Sequence, residues 1–216
     1  MTATTPKRAR NRSRPRRRLD DVRRPQILDT AIELVRERGL WDVRIADIAK
    51  RAGMSATSVV YYFGTKDDLL AEAIAGADDR FYASLAEELG AIKRARDRLA
   101  CLIVRSSRAD WLLWMELWGY ARHHPDTALA QRRFHSRWRQ TLAALIQYGI
   151  DTGEWRVADV DGAAQRLAAI TDGLAVHMVL DDPDHTPERF VEMTVTAAAL
   201  ELGLDVRPLR RAAGRC

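Results

Sequence analysis

An all-α fold follows from three observations. Apolar residues recur at helical spacing in successive segments, no segment shows the alternation of a half-buried strand, and glycine or proline punctuates the periodic stretches. No glycine-rich nucleotide fingerprint and no internal repeat interrupts that pattern. The 216 residues are enough for a small N-terminal three-helix unit containing a helix-turn-helix and a larger helical domain behind it.

The first structured helix is expected over 23–38. Ile27, Ala31, Leu34 and Val35 form its apolar stripe, Pro25 suits its first turn, and Gly39 ends it. Leu40 and Trp41 then cover the bottom of the three-helix core. The next helix buries Ile45, Ile48, Ala49 and Ala52, with Arg44, Asp47, Lys50 and Arg51 facing elsewhere, and Gly53 closes it. Ser55 is a good N-cap for a third helix, in which Val59 and Val60 can bury while Thr57, Ser58, Tyr61 and Tyr62 keep hydroxyls available. A short helix presenting small polar side chains fits a DNA major groove. Thr57 and Ser58 are thus candidates for base contact, Ala56 could meet a thymine methyl, and Ser55 at the cap counts with them among the candidate DNA-binding residues. Tyr61, Tyr62, Lys66 and Arg44 are candidates for phosphate contact, with hydrophobic packing the competing reading of either tyrosine. Thr65 can cap a fourth helix whose first turn suits Asp67 and Asp68 but not Lys66, so a cation there needs a reason from outside the helix. A backbone phosphate would supply one.

These residues resemble the DNA-binding domain of the TetR family of bacterial transcriptional regulators. The resemblance spans roughly residues 23–70 and rests on IADIAKRAG followed by GMSATSVVYYFGTKDDLL, with Gly53, Met54, Ser55, Tyr62, Phe63, Thr65 and Lys66 in matching places. Thr57 stands where glycine is common, Val60 where a tyrosine is usual, and Val43 and Arg44 replace a threonine cap. The phosphate contacts of that tyrosine and that threonine therefore do not carry over, and Arg44 is the candidate to replace the latter. The resemblance implies a homodimer, an approximately two-fold symmetric operator, a small-molecule inducer and, by occlusion of polymerase, repression.

Charge is uneven. Residues 1–18 hold eight basic residues and no acidic one, so with a formal net charge of +5 the rest of the chain carries about −3. A segment so charged and so poor in apolar residues is expected to be a disordered arm that adds salt-dependent affinity for DNA. The arm fits a general architectural DNA-binding protein too, but the helical body and the recognition helix favour a sequence-specific regulator. With 47% hydrophobic residues, no run of about 18 apolar residues and no apolar segment beside the early arginines, a soluble cytoplasmic protein is expected, nucleoid-associated when on DNA. Cys101 and Cys216 have no metal spacing, and neither compels a disulfide. The expected divisions are a basic arm at 1–18, the helix-turn-helix DNA-binding domain at 19–66, a ligand-binding and dimerisation domain at 67–204, and a polar tail at 205–216.

The fourth helix, expected near 65–88, carries Leu69, Leu70, Ala73, Ile74, Ala77, Phe81 and Leu85 and so serves both domains. Five more helices are expected over 92–104, 111–121, 132–148, 160–180 and 187–202. The last two are apolar on more than one face, and pairing with the same helices of a second chain would bury that surface. WLLWMELWGYARHHPD, RRFHSRWRQTLAALIQYGIDTGEW and AAITDGL also resemble the C-terminal domain of the choline-responsive repressor subgroup, through Trp118, Pro125, Gly149, Gly153, Glu154, Asp172, Gly173 and Leu174. That subgroup regulates many pathways, so its name assigns no ligand.

The effector reading begins with Trp111, Trp114 and Trp118, which share one helical stripe, and adds Phe134, Trp138 and Tyr148 from the next long helix. Glu116 and Asp172 lie in segments otherwise built for burial, where a carboxylate needs a partner. Arg105, Arg108, Arg132 or Arg166 could supply it internally. A cationic organic ligand, its charge over tryptophan faces, could do so instead. His177 completes the candidate ligand set. No cofactor, no metal site and no catalytic residue is expected: His123, His124, His135 and His177 show no ligand spacing, and Ser106 and Ser107 lack a nucleophile elbow.

Overall fold

Helix periodicity in the sequence becomes ten α-helices in the structure, a computed structural model that describes residues 14–216. α1 (Arg14–Asp42) starts earlier than expected, so residues 14–18 are helical, while residues 1–13 of the proposed arm lie outside the described residues. The early start also puts Pro25 inside the helix rather than in its first turn, where it removes one backbone hydrogen bond. α2 (Ile45–Arg51) and α3 (Ala56–Phe63) complete the head around Ile27, Leu34, Leu40, Ile48, Val59 and Phe63, all buried.

α4 (Lys66–Gly90) opens with a capping box, the Asp68 N–H donating to Thr65 Oγ1 at 3.1 Å and the Thr65 N–H to Asp68 Oδ2 at 3.3 Å. Its first half packs Leu69, Leu70, Ala73 and Ile74 into the head, and its second half packs Tyr82 and Leu85 into the body. The shared helix expected from sequence is present. The body consists of α5 (Ala95–Ser107), α6 (Trp111–Ala121), α7 (Pro125–Asp151), α8 (Val160–Val179) and α9 (Pro187–Glu201).

Two local devices set the body's shape. A Cβ on Gly149 would lie 2.0 Å from the Trp155 ring, so only glycine lets that indole fold back and donate to the Ile146 carbonyl at 2.8 Å. Next to it the Glu154 carboxylate accepts the N–H groups of Ala95 and Arg96 at 2.5 and 3.1 Å, capping α5. The sequence GIDTGEW is thus a clasp between the end of α7 and the start of α5.

The polar tail expected at 205–216 is instead folded. α10 (Val206–Ala213) segregates its arginines outward and buries Leu209, Ala212 and Ala213 against α5 and α9. A polar composition concealed this amphipathic pattern. Its docking brings Cys216 to Cys101, and the two form a disulfide across 115 residues of sequence. α8, its C-cap Leu180 and α9 leave large apolar side chains outward, Leu180 70% and Leu200 80% exposed, with Ile170 and Met193. Such side chains suit burial against a second copy.

Closing so long a loop should stabilise the folded chain by about 2–4 kcal/mol. Urea unfolding of Cys216→Ser should therefore show a loss of that order against the oxidised parent and no loss when both proteins are reduced.

Candidate DNA interface, effector core and the joint between them

The head presents α3 outward by its register. Val59 and Phe63 point into the core, so Ala56, Thr57, Val60 and Tyr61 face solvent, Tyr61 at 73% exposure. Val60, expected to bury, has no inward place because the adjacent Val59 takes it. Ser55 is committed to the cap, accepting from the Ser58 N–H at 3.1 Å, and the two hydroxyls lie 2.8 Å apart. Tyr62 is half-buried against the head core, edge-on to the Tyr61 ring. Arg24 fastens α3 from behind: it donates to the Tyr62 carbonyl at 2.7 Å, forks onto Glu72, and lies 4.4 Å over the Phe63 ring. Arg44 is exposed at the start of α2.

Lys66 has an internal reason for its place. Its ammonium donates to the carbonyls of Leu40 at 2.9 Å and Trp41 at 3.3 Å, just past the break that Gly39 puts in α1 as expected from sequence, and burial pushes its pKa down. The external phosphate invoked from sequence is not needed to explain it.

The same corner is where the body grips the head. Glu116 Oε2 accepts the Leu40 N–H at 3.0 Å, and it fits because Gly39 has no Cβ: a Cβ there would lie 3.0 Å from that oxygen, at a φ of 80° that disfavours any side chain. Tyr120 donates to Asp67 Oδ1 at 2.7 Å, and His124 Nδ1 sits 2.9 Å from Asp67 Oδ2 with its ring stacked on Tyr120 at 3.7 Å. Trp41 packs edge-on against both rings. Burial opposes the charge on Asp67, but the bonds from Tyr120 and His124 outweigh it and hold the carboxyl below its ordinary range. A depressed carboxyl contributes stability above its unfolded pKa and loses it as pH falls through the folded one, so acid loosens this joint.

Further along α4, Asp78 is 3% exposed and takes Arg137 at 3.0 Å, while Arg137 also reaches Asp79 at 2.6 Å and lies over the Tyr82 ring at 4.2 Å. Burial raises the Asp78 pKa against the pull of Arg137. Sequence reasoning missed Asp67, Asp78, Tyr82, Tyr120, His124 and Arg137. The legible signal was Asp78, a carboxylate four residues beyond Ile74 on the apolar stripe.

The expected effector residues separate into groups. Trp111, Trp114 and Phe134 lie in one buried cluster with Leu174 and Phe190, the Trp114 and Phe134 rings stacked at 3.7 Å. Trp118, half-buried, has an indole nitrogen with no hydrogen-bond partner. Trp138 lies in the other cluster, donates to Thr171 Oγ1 at 3.3 Å and lines a narrow enclosed cavity with Leu102, Leu142 and Thr194. Tyr148 donates to the Lys93 carbonyl at 2.7 Å beneath the Arg98 guanidinium, outside the aromatic group. Glu116 belongs to the joint, where a backbone N–H is its partner, and His177 lies on the outward face of α8, 3.3 Å from Asp182. Asp172 is different: its side chain is 18% exposed, burial raises its pKa, and the basic side chain facing it is His135, at 4.0 Å, rather than Arg105, Arg108, Arg132 or Arg166.

Comparisons with known proteins agree with this architecture. Residues 27–73 match the model of bacterial regulatory proteins of the tetR family, and residues 102–203 match that of the BetI-type transcriptional repressor C-terminal domain. A transcriptional regulator from Saccharomonospora viridis, solved in complex with choline, superposes with a TM-score of 0.73 at 30% identity, covering 79% of this chain and 92% of that one. The chain belongs to the TetR family of transcriptional regulators. Among curated relatives, the BetI regulator of Cronobacter sakazakii is 26% identical over 174 residues, 77% of this chain and 84% of its own length. The PksA regulator of Bacillus subtilis is 29% identical over 169 residues, 74% and 80% of the two chains. As a TetR-family protein with a BetI-type C-terminal domain it is a homodimeric, ligand-responsive DNA-binding regulator. Among the described residues no helix is long and apolar enough to cross a membrane.

Replacing Glu116 by Ala leaves the buried Leu40 N–H without its acceptor and should lower the unfolding free energy by about 1–3 kcal/mol. Glu116→Gln, which keeps an acceptor oxygen, should lose clearly less in the same urea titration.

Proposed function

We propose that this TetR-family regulator represses transcription by occupying an approximately two-fold symmetric operator and releases it when a small organic cation of the choline type binds the body. The observation that carries the reading is α6, which presents Trp114 to the aromatic core and Glu116 and Tyr120 to the head. An event in the core therefore reaches the head through one helix.

Ala56 and Thr57 read base edges in the major groove, with Ser55 and Ser58 setting the pitch of α3. Arg44, Tyr61, Tyr62 and Lys66 meet phosphates; the ammonium of Lys66 has three donors and uses two on α1, which leaves one for DNA. The basic segment at 1–18, with eight Lys and Arg residues and no acidic one, adds nonspecific, salt-dependent affinity for DNA. The protein acts in the cytoplasm, at the nucleoid when bound to DNA. Two copies paired through α8 and α9 place the heads on major-groove faces about 34 Å apart.

In the body, Trp111, Trp114, Trp118 and Phe134 offer ring faces to a quaternary ammonium, and Asp172 supplies the charge that its weak pairing with His135 leaves available. Choline bound to the S. viridis regulator supports that chemistry. The cation opens the Trp114–Phe134 stack and so moves α6 against α7. Glu116 takes no part in ligand recognition, since its carboxylate already serves the head.

Titrations at fixed salt should show a preference of at least about 10³-fold for a symmetric site upstream of the protein's own gene over random DNA, whereas a few-fold preference would mark an architectural binder. Lys66→Ala should reduce the slope of log affinity against log salt by about one unit, while Thr57→Val should change which bases are preferred. Calorimetric titration with choline should find Asp172→Asn at least about tenfold weaker than the parent, a loss of ~1.4 kcal/mol, and Glu116→Gln unchanged. Equal binding by Asp172→Asn would remove charge recognition from this account.

A further inference from the structure

The corner joining α8 to α9 holds a cluster that DNA binding and effector recognition do not use. Asp182 Oδ2 lies 3.3 Å from His177 Nδ1 and 3.0 Å from His185 Nδ1, and the three donor atoms all fall within 4.8 Å of one another. The other oxygen, Oδ1, accepts the Asp184 N–H at 3.0 Å, which turns Oδ2 toward the two imidazoles. His185 Nδ1 is buried, with that oxygen as its near neighbour. The imidazoles stack at 4.3 Å. We propose that His177, Asp182 and His185 form a binding site for a divalent first-row transition cation of the zinc type.

The spacing supports an ion better than a proton. Two donors at about 2.0–2.1 Å from a tetrahedral ion lie roughly 3.3 Å apart, close to both nitrogen–oxygen separations here. Two imidazole nitrogens and one carboxylate select zinc, nickel or copper over magnesium and calcium, which take oxygen donors. The backbone fixes the ligand positions in advance: the Asp182 N–H bonds to the His177 carbonyl at 3.1 Å, the His185 N–H bonds to the Asp182 carbonyl at 2.9 Å, and Asp181 holds the bend at φ 53°. Only the side chains must turn, chiefly His177, which is half exposed and free to unstack. The backbone bonds of Asp184 and the corner act as the outer support that such sites need.

His177 stands exposed on α8, which with its C-cap also leaves Ile170 and Leu180 outward, so a bound ion would tie the α8–α9 corner to the face assigned to the second copy. The spacing of HMVLDDPDH, with histidines at both ends and aspartate between, is the sequence signal; the expectation of no metal arose from weighing His177 without His185.

The test uses the full chain, stripped of metal and kept oxidised so that both cysteines are engaged. Zinc should compete with a chromophoric chelator for about one site per chain, and cobalt should give visible d–d absorption. His177→Gln and His185→Ala should each weaken zinc binding at least about tenfold, with His135→Ala unchanged and helical circular dichroism the same in all three. Zinc should also raise the thermal midpoint of the parent but not of His177→Gln. The proposal is overturned if zinc fails to compete, if both variants bind as tightly as the parent, or if His135→Ala alone abolishes binding.

Discussion

A single carboxylate, Asp67, decides how the reading head sits on the body. It stands in the first turn of α4 and accepts from Tyr120 at the end of α6 and from His124 at the start of α7. Beside it Glu116 holds the Leu40 N–H and Lys66 holds the Leu40 and Trp41 carbonyls. The end of α1, the start of α4 and the last turns of α6 are thereby fixed to one another within one small corner. A rigid-body turn of the head must break or lengthen these bonds together.

α6 connects that corner to the aromatic core. One side carries Trp111, Trp114 and Leu117 into the aromatic core, and the other carries Glu116 and Tyr120 to the head. Each hydrogen bond at the joint contributes on the order of 0.5–1.5 kcal/mol, and typical coupling between an effector and DNA is about 1–3 kcal/mol. Loss or gain of two or three such bonds therefore spans the whole range that control requires. α4 provides a second link through Asp78 and Arg137, but Asp78 is buried and Arg137 is braced by Tyr82, which suits a fixed hinge better than a contact that must break.

Much of this was legible in the residues. Periodicity marked most of the helices because apolar residues recur along them at helical spacing, and Ser55, Thr65 and Pro187 marked starts that the structure keeps. Partners were harder to read. Glu116 looked unpaired because its partner is a backbone N–H 76 residues away, a group that sequence does not advertise. Tyr120 carried no signal of its own and His124 showed only a lack of ligand spacing, since the partner of both, Asp67, lies more than 50 residues away in sequence. Lys66 looked misplaced at the start of α4 because the carbonyls it serves belong to another helix end. The segment 205–216 read as a tail because arginines dominate its composition, although Leu209, Ala212 and Ala213 lie on one side of it.

Choline-type effectors and operator DNA are proposed to be coupled through the α6 joint. The direct measurement is the operator affinity of the parent and of Tyr120→Phe, each with and without saturating choline, alongside choline affinity in the absence of DNA. Tyr120→Phe keeps the ring stacked on His124 but removes the bond to Asp67, so it should bind choline within about threefold of the parent while its effector-induced loss of operator affinity shrinks by about tenfold. Undiminished release by Tyr120→Phe, with choline affinity equally unchanged, would contradict the account and place the coupling elsewhere in the molecule.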